Sequence, residues 1–433
     1  MSMELFERVD DRSAKVAVLG QGYVGLVVSM RASEAGFPVV GLEADEQRAA
    51  SLQQGRSYIE DVPDEVLQAA LDRGYQPTSD PSDLAGFDVA VISVPTPLHE
   101  GLPDLSYIRS AGAMVAEHLT PGSLVILEST TYPGTTEELL GPLLTEISGL
   151  TPGKDFLLAF SPERIDPGNP QFGLHNTPKV IGGIDEPSTK AAADFFGAFV
   201  EKPVIVPGCG EAELAKIIEN TYRHVNIALV NEIAMFAHDL GIDVNAAIDA
   251  ADTKPFGFQA FRPGPGVGGH CLPVDPSYLS WRVKTRLGEN FRFIELANDI
   301  NDHMPHYVVR RVTALLNADR KAVNGARILV LGVSYKPNVG DTRESPAQAI
   351  IEQLAILGAE LTLVDRFAAA TADSYAGQPL HADLTEDVLG AADLALIVTD
   401  HDALDYAEVA ERVPRVLDTR NRLPLGTANV THL

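Results

Sequence analysis

Three polar side chains and one thiol have the types and spacing of a site for covalent catalysis. Lys216 and Asn220 are spaced i, i+4, so in a helix they share a face and could donate hydrogen bonds to an alkoxide or a tetrahedral oxyanion. Cys271 ends the run PGPGVGGHC at 263–271, and Asp275 follows it by four residues, which places a carboxylate near the same loop. Alone, Lys216 and Asn220 would more often be a solvated helical stripe; beside a reactive thiol we interpret them as oxyanion donors.

Cys271 is interpreted as a nucleophile, although a free cysteine is more often a small buried apolar residue. Gly268 and Gly269 precede it and leave room for a substrate to approach the backbone. The other cysteine, Cys209, has no such neighbours and is predicted to be structural. Two cysteines cannot form a disulfide framework, which is typical of a protein from a reducing compartment.

A dinucleotide site is predicted near the start of the chain, where a GxGxxG pattern lies between a strand and a helix. Such glycines permit a tight turn and the approach of a pyrophosphate, which the helix N-terminus favours. Glu43 ends the next strand, where an acidic side chain binds ribose hydroxyls and repels a 2′-phosphate, so NAD is predicted over NADP. Arg48 could accommodate that phosphate or be an ordinary solvated residue. The turn assigned to the cofactor comprises Gly20, Gln21, Gly22, Tyr23, Val24 and Gly25.

A cysteine together with NAD indicates the oxidation of an aldehyde. The thiolate forms a thiohemiacetal, loss of a hydride gives a thioester, and water hydrolyses the thioester. Such a thiolate needs nearby cations or hydrogen-bond donors to lower its pKa.

Two regions of alternating strands and helices must position these groups. In the first, strand patterns lie in the segments 16–43, 87–95, 122–130, 156–164 and 179–184. A helix of about 30 residues follows from residue 211, and the alternation restarts near residue 325. The sequence predicts an α/β fold class, with two Rossmann-like doubly wound domains joined by a long central helix. The predicted domains are 13–207 for NAD, 208–320 as helical connector and dimerisation domain with the cysteine loop, and 321–433 for a different ligand.

Composition excludes several other classes of function. A chain of 433 residues is expected to form two or three domains, and a formal charge of −27 argues against binding nucleic acid. No apolar run is long enough to cross a bilayer, and the N-terminal residues are charged where a signal peptide would be apolar. We therefore expect a cytoplasmic protein with no membrane partner and no metal site. Any anionic ligand must be held by a few locally placed cations and helix N-termini.

Seven motifs, in family order, resemble the nucleotide-sugar 6-dehydrogenases, the family of UDP-glucose and UDP-N-acetylmannosamine dehydrogenases. They cover essentially the whole chain: GQGYVG (20–25), SVPTP (93–97), ESTTYPGTTE (128–137), FSPER (160–164), AELAKIIEN (212–220), PGPGVGGHC (263–271) and YKPNVGDTRESPA (335–347). The resemblance implies oxidation of C6 of a UDP-sugar to the acid, with two NAD used in succession.

Residue by residue, the resemblance assigns catalytic roles. The family's nucleophile, oxyanion donors and proton-transferring aspartate fall on Cys271, Lys216, Asn220 and Asp275. The glutamate that handles a proton or water at the thioester falls on Glu163. A hydroxyl near the nicotinamide falls on Thr130 or on the adjacent Thr131.

The resemblance also assigns binding roles. Thr96 matches a residue that lines the NAD site, and Arg343 an arginine that reaches the cofactor side. Lys336 matches a UDP-sugar contact. Arg262 is a further candidate from its position alone: it lies just before the PGPG run and could reach the diphosphate in its own or a partner subunit. The predicted substrate-binding set is Glu163, Arg164, Lys216, Asn220, Arg262, Gly268 and Lys336.

Two details favour a particular branch of the family. GGHC, with His270, resembles the N-acetylhexosamine enzymes. SPERIDPGN followed by TPKVIGG resembles the UDP-N-acetylglucosamine enzymes more than the UDP-N-acetylmannosamine ones. UDP-glucose, UDP-N-acetylgalactosamine and UDP-N-acetylmannosamine remain alternative substrates. A β-hydroxyacid dehydrogenase also joins a Rossmann domain to a long helix with a lysine and an asparagine, but it needs no GGHC loop and no third domain. A non-catalytic protein that binds NAD or a UDP-sugar is the remaining alternative.

The long helix has more apolar surface than one domain is expected to cover. We therefore predict a homodimer built on the helix from about Glu211 to Leu240.

Overall fold

The structure is a computed structural model that describes residues 2–99, 101–166, 169, 171–269 and 272–433. His270 and Cys271 lie outside the described residues. Contacts divide the chain into two units, Met1–Glu219 with Ser277–Gly288 and Asn220–Pro276 with Glu289–Leu433. The division into three domains at 13–207, 208–320 and 321–433 stays a prediction.

The first unit is built on an eight-stranded sheet. Its strands, in spatial order, are β10 (Pro203–Ile205), β9 (Lys179–Gly183), β8 (Leu157–Phe160), β7 (Leu124–Leu127), β4 (Val89–Ile92), β1 (Val16–Leu19), β2 (Val39–Leu42) and β3 (Gln76–Thr78). Six neighbouring strands are parallel, in the spatial order β8, β7, β4, β1, β2, β3. This is the dinucleotide-binding order, with its switch point between β1 and β4. β9 reverses and pairs antiparallel with β8.

The first unit also contains the seven helices α1 to α7 and one β-hairpin. The helices are α1 (Ser2–Asp10), α2 (Gly25–Glu34), α3 (Glu46–Gln53), α4 (Asp64–Asp72), α5 (Ser106–His118), α6 (Gly141–Ser148) and α7 (Glu186–Gly197). The hairpin pairs β5 (Leu98–His99) with β6 (Leu102–Pro103), a 3₁₀ turn spans Pro81–Leu84, and a π-helical turn spans Thr136–Leu140.

The second unit contains a seven-stranded sheet with the same central order. Its strands, in spatial order, are β13 (Ser374–Tyr375), β14 (Gln378–His381), β12 (Glu360–Val364), β11 (Arg327–Leu331), β15 (Leu394–Ile397), β16 (Val416–Asp418) and β17 (Val430–His432). All pairs are parallel except β13 with β14. Its helices include α9 (Val244–Asp252), α11 (Arg292–Ala318), α12 (Pro346–Ile356), α13 (Glu386–Ala391) and α14 (Tyr406–Arg412), with a 3₁₀ turn at Ala368–Ala370.

Two helices contribute residues to both units. The 31-residue helix α8 (Cys209–Asp239) belongs to the first unit up to Glu219 and to the second from Asn220. Helix α10 (Asp275–Leu287) begins in the second unit and continues in the first from Ser277. The predicted fold class, two Rossmann-like domains with a long central helix, is confirmed.

The strands β1 and β11, each in the middle of its sheet, are buried on both faces, which explains their continuous apolar runs. Along β1, Val16 and Val18 enter one core cluster while Ala17 and Leu19 enter another, because successive side chains of a strand alternate between faces. The strand β11 divides in the same way between two clusters of the second unit. Over the residues that the structure describes, no helix has the length and apolarity to cross a membrane.

Candidate active site

The turn between β1 and α2 has the shape that a bound dinucleotide requires. Gly20 has a φ of +88°, and a Cβ there would lie 2.3 Å from the Ser93 carbonyl oxygen. A Cβ at Gly25 would lie 1.9 Å from the Gly20 carbonyl oxygen, so helix α2 can begin at this point only with glycine. A Cβ at Gly22 would meet nothing within 4 Å. The backbone is therefore open at Gly22, where a pyrophosphate would approach the helix N-terminus, and the residues fit NAD.

Glu43 is held next to this turn as the acidic residue of a dinucleotide site should be. Its Oε2 accepts a hydrogen bond from the backbone N–H of Gln21 at 3.1 Å, and its Oε1 accepts one from Asp45 N–H at 3.1 Å. The guanidinium of Arg48 lies over the ring of Tyr58, 5.3 Å from its centre, and Arg48 is exposed. Glu43 is thus fixed by backbone contacts, whereas Arg48 packs on an aromatic ring beside it.

The remaining residues assigned to the cofactor differ in their surroundings. The Gln21 side chain faces the interior, where it donates to the Val18 carbonyl at 2.9 Å and accepts from Tyr75 Oη at 2.7 Å. Only the backbone of Gln21 is therefore available to the turn. Thr96 is buried, Tyr23 and Val24 are half-buried, and so is Thr130, whereas Thr131 is fully buried. This difference in access favours Thr130 over Thr131 as the hydroxyl near the nicotinamide.

Glu163 is a buried carboxylate with both oxygens engaged. Its Oε1 accepts hydrogen bonds from the backbone N–H groups of Arg164 and Ile165, each at 2.7 Å, and its Oε2 accepts one from Lys179 Nζ at 2.9 Å. Burial alone would raise the pKa of Glu163, but the Lys179 ammonium and the two N–H donors outweigh burial and lower the pKa. The lowered pKa favours the ionised carboxylate, the form that is able to accept a proton.

Helix α8 is anchored on both sides of Lys216 within the first unit. The Arg164 guanidinium forms an ion pair with Glu219, at 2.6 Å from Nη2 to Oε1, and donates to the Pro178 carbonyl at 2.7 Å. Glu213, one turn before Lys216, accepts hydrogen bonds from the N–H groups of Gly134 and Thr136 at 2.6 and 2.9 Å. These contacts tie the helix to the chain that follows Thr130.

Lys216 itself is buried, with 8% of its surface exposed. None of the ion pairs in the parts of the chain that the structure describes holds its ammonium. A buried cation with no carboxylate partner has a high cost of desolvation, so its presence is better explained by function than by stability. This is the environment expected of an oxyanion donor.

In the second unit, Asn220 and Asp275 are joined directly. Asn220 Nδ2 donates to Asp275 Oδ2 at 2.5 Å, and both side chains are buried. Asp275 is the first residue of α10, four positions after Cys271. The structure thus brings together two of the residues that the sequence analysis assigned to catalysis, although 55 positions separate them in the chain.

The glycines before Cys271 have a different structural reason from the one inferred from sequence. A Cβ at Gly268 would lie 2.8 Å from the Glu344 carbonyl oxygen and 2.9 Å from Tyr335 Cβ, and one at Gly269 would lie 2.8 Å from the Tyr335 ring. Gly269 N–H also donates to the Arg343 carbonyl at 3.1 Å. The space left by these glycines is filled by the chain itself, not left open for a substrate. Their effect is to pack the backbone at 268–269 against the segment that carries Lys336.

The cations assigned to ligands in the second unit have the following neighbours. Lys336 is half-buried, with Nζ 5.7 Å from the centre of the Tyr335 ring. Arg343 forms a bidentate ion pair with Asp341, at 2.9 and 2.6 Å. Arg262 is exposed and pairs with Asp249. Arg343 and Arg262 would therefore have to exchange a carboxylate partner for a ligand.

The fold, together with the site residues described in the first unit and in the second, defines a class of protein: a dehydrogenase with two Rossmann-like nucleotide-binding halves. Comparison with known proteins gives the family. The UDP-glucose/GDP-mannose dehydrogenase family matches the chain in three parts: its NAD binding domain over residues 14–200, its central domain over 210–303 and its UDP binding domain over 329–424. The chain belongs to this family and is an NAD-dependent nucleotide-sugar 6-dehydrogenase.

Relatives that are named for their activities agree with that class. A UDP-N-acetyl-D-mannosamine dehydrogenase from Pyrococcus horikoshii is 37% identical over 389 residues, which are 89% of each chain. A UDP-N-acetyl-D-glucosamine 6-dehydrogenase from Pseudomonas aeruginosa is 36% identical over 366 residues, 83% of this chain and 84% of that protein. The solved structure of the Pyrococcus horikoshii UDP-D-ManNAc dehydrogenase superposes with a TM-score of 0.87 at 34% identity, covering 96% of this chain and 98% of that one.

Sequence reasoning did not single out Lys179, Glu128 or Glu213. Lys179 and Glu128 form buried ion pairs at the ends of strands β9 and β7, and Glu213 accepts the hydrogen bonds described above. For Lys179 and Glu128 the available signal was a charged residue at the boundary of an otherwise apolar strand, Lys179 as the first residue of β9 and Glu128 directly after β7.

We expect Glu43 to make NAD a better substrate than NADP by at least about tenfold in kcat/KM, since a carboxylate facing a phosphate costs about 1.4 kcal/mol or more. The Glu43→Ala variant should lose most of this preference. Steady-state kinetics with both cofactors measures it, with Glu46→Ala, an exposed acid in the first turn of α3, as the matched control. Equal kcat/KM values for the two cofactors in the unaltered protein would show that Arg48 dominates.

Proposed function

We propose that this protein oxidises C6 of UDP-N-acetylglucosamine to the uronic acid. The observation that carries the proposal is the buried hydrogen bond between Asn220 and Asp275, at the start of the helix that follows the cysteine loop. It joins an amide donor to a carboxylate acceptor, and in the same unit Gly268 and Gly269 pack against the segment carrying Lys336. An alcohol oxidation needs such an acceptor for the hydroxyl proton and such a donor for the oxygen that remains.

The residues of the chain have distinct tasks in this proposal. Asp275, or a water that it holds, removes the proton from the C6 hydroxyl, and Lys216 and Asn220 stabilise the negative charge on that oxygen. Cys271 attacks the resulting aldehyde, so that the reactive carbonyl stays bound to the protein. Glu163, whose pKa is lowered by Lys179 and by two backbone N–H donors, takes a proton from the water that hydrolyses the thioester.

Bound NAD would supply the hydride acceptor for both oxidation steps. Conversion of an alcohol to an acid releases four electrons, so two NAD are consumed for each sugar. The covalent bond to Cys271 would keep the sugar in place between the two hydride transfers. This accounts for a protein with one nucleotide-binding half for NAD and another for UDP.

The choice of sugar rests on the motifs and on the relatives. GGHC and SPERIDPGN indicate the N-acetylhexosamine branch, and the Pseudomonas aeruginosa relative is named for UDP-N-acetylglucosamine. UDP-N-acetylmannosamine is the second candidate, favoured by the name of the Pyrococcus horikoshii relative. Both sugars carry a 2-acetamido group and differ at C2.

A panel of UDP-sugars tests the proposal. Purified protein is given NAD with UDP-glucose, UDP-N-acetylglucosamine, UDP-N-acetylgalactosamine or UDP-N-acetylmannosamine, and NADH and product are quantified. We expect the highest kcat/KM for UDP-N-acetylglucosamine, with two NADH and one uronic acid per sugar. One NADH per substrate would indicate simple alcohol oxidation, as by a β-hydroxyacid dehydrogenase. Absence of turnover with every sugar would favour a binding protein.

A homodimer built on α8 is part of the proposal. Four apolar residues of α8 and Leu240, which follows its last residue, lie on one side of the helix by their spacing, with exposed fractions between 45 and 73%: Tyr222, Leu229, Ile233, Phe236 and Leu240. Such a stripe on a protein surface marks an interface.

We expect the unaltered protein to be a dimer at micromolar concentration and Phe236→Lys to shift it towards monomer, because a charge would be buried in the apolar stripe. Light scattering measures both masses. Ile356→Lys, on α12 at 84% exposure, should leave the mass unchanged. A monomeric unaltered protein would contradict the proposal.

We expect Lys336→Ala to raise the KM for the UDP-sugar, because it removes a charge-assisted hydrogen bond worth about 1.5–3 kcal/mol. The affinity for NAD should hardly change. Titrations of the protein with UDP and with NAD separate the two effects, and Lys321→Ala, a surface cation paired with Asp393 in the same unit, is the control. Weaker NAD binding with normal UDP binding in this variant would contradict the assignment of NAD to the first Rossmann-like half and of UDP to the second.

A further inference from the structure

One lysine and two glutamates form a buried cluster in the first unit. Lys179 Nζ lies 2.9 Å from Glu163 Oε2 and also contacts Glu128 Oε1. It donates further to the Pro162 carbonyl at 3.3 Å. The side chains of Lys179, Glu163 and Glu128 are 2%, 9% and 0% exposed, respectively. One member of the cluster, Glu163, is the proposed base for thioester hydrolysis. Lys179 contacts that base directly.

The reversal of one strand creates the cluster. Glu128 directly follows β7, and Glu163 comes three positions after the end of β8, so both lie at the edge where these parallel strands end. β9 runs antiparallel to β8, which brings its first residue, Lys179, to that same edge. The cation therefore reaches both carboxylates although it is 51 residues from Glu128 in the chain.

The charges of the cluster do not balance when all three groups are ionised. One ammonium facing two carboxylates leaves a net negative charge in a buried place, which is unfavourable. Glu163 Oε1 accepts two backbone hydrogen bonds, whereas Glu128 Oε2 is buried and has no hydrogen-bond partner among the residues that the structure describes. A proton that relieves the excess charge is consequently held better by Glu128 than by Glu163.

The pKa shifts agree with this distribution. Burial, opposed by Lys179 and reinforced by Glu163, raises the pKa of Glu128 to about 7. Burial would lower the pKa of Lys179, but its two carboxylate neighbours outweigh burial and raise it. Lys179 from β9 and Glu163 after β8 are the charged groups that act on Glu128, and helix α7 adds the uncharged Phe196 ring, 4.8 Å from Lys179 Nζ.

We propose that Glu128 and Lys179 are positioning residues that set the basicity of Glu163. This inference rests on the proposed function, in which Glu163 activates the hydrolytic water. With Glu128 protonated, the charge of Lys179 is balanced by Glu163 alone, which makes Glu163 a weak base. With Glu128 ionised, the ammonium is shared and a second negative charge faces Glu163, so Glu163 binds a proton more strongly. Hydrolysis of the thioester then accelerates as pH rises through the range in which Glu128 ionises.

The Glu128→Gln variant tests this, because glutamine has the shape of the protonated acid and cannot ionise. We measure kcat from pH 6 to pH 8 at saturating NAD and sugar. The ratio of variant to unaltered kcat should be near one at pH 6 and fall by about tenfold at pH 8. Intact-protein mass spectrometry at pH 8 should find more covalent sugar adduct on the variant during turnover, because hydrolysis has become slower.

The matched control is Asp400→Asn. Burial raises the pKa of Asp400 as well, but Asp400 lies in the second unit and is not a member of the cluster. This variant should keep the pH dependence of the unaltered protein. A flat ratio for Glu128→Gln, or loss of the pH dependence in Asp400→Asn alone, would overturn the inference. If the unaltered protein does not form two NADH per sugar, the proposed function fails instead, so the two failures are distinguishable.

Stability supplies a second measurement that does not depend on turnover. A carboxyl group whose pKa is raised by folding stabilises the fold below its unfolded pKa, and that contribution is lost as pH rises through the folded value. The Tm of Glu128→Gln relative to the unaltered protein should therefore increase between pH 5 and pH 8. A Tm difference that is independent of pH would show that Glu128 does not titrate in this range and would also overturn the inference.

Discussion

The Cys271→Ala variant is expected to produce no uronic acid. Without the thiol the aldehyde cannot be captured, and neither the thioester nor its hydrolysis can follow. Cys271→Ser should likewise form no thioester and retain at most slow first-step hydride transfer or a trapped adduct. Product analysis by mass spectrometry, together with NADH counted per sugar, measures both variants.

Cys209→Ala is the natural control because it removes the other cysteine. Cys209 is fully buried in a core cluster, its Sγ donates to the Gly182 carbonyl at 3.4 Å, and burial raises the pKa of its thiol. It should form acid normally and lose about 1 kcal/mol of stability. Normal acid formation by Cys271→Ala would end the proposed mechanism.

Lys216→Met is expected to lower kcat by about 10²- to 10³-fold, the usual cost of removing one oxyanion donor. Methionine retains much of the side-chain volume and removes a buried charge that has no ion-pair partner among the described residues. The free energy of unfolding should therefore stay the same or increase. Loss of activity without loss of stability would be the signature of a catalytic rather than a structural lysine.

Lys190→Met is the matched control for that substitution. Lys190 is 63% exposed and pairs with Asp194 one turn along α7, an interaction that contributes little to stability. Its kcat should remain within about twofold of the unaltered value. A comparable loss of activity in both variants, or a Lys216→Met protein that unfolds, would argue that Lys216 has a structural role.

Much of the candidate site could be predicted because its signals are local. The GxGxxG turn depends on backbone geometry at Gly20 and on close packing at Gly25, which only glycine allows. Lys216 and Asn220 share a helix face because of their spacing alone. For the glycines before Cys271 the prediction was right about close approach and wrong about its cause, since Tyr335, more than 60 positions away, fills the space.

The sequence by itself determined the two Rossmann-like halves, the NAD turn and the long helix with its lysine and asparagine. Each of these follows from hydrophobic periodicity and turn residues within short segments. Only the tertiary structure decided that Asn220 donates to Asp275, that β9 reverses, and that Lys179 joins Glu128 to Glu163. Such contacts depend on how distant strands pair and on which buried charges must be compensated. Neither can be inferred from the residue pattern of a single segment.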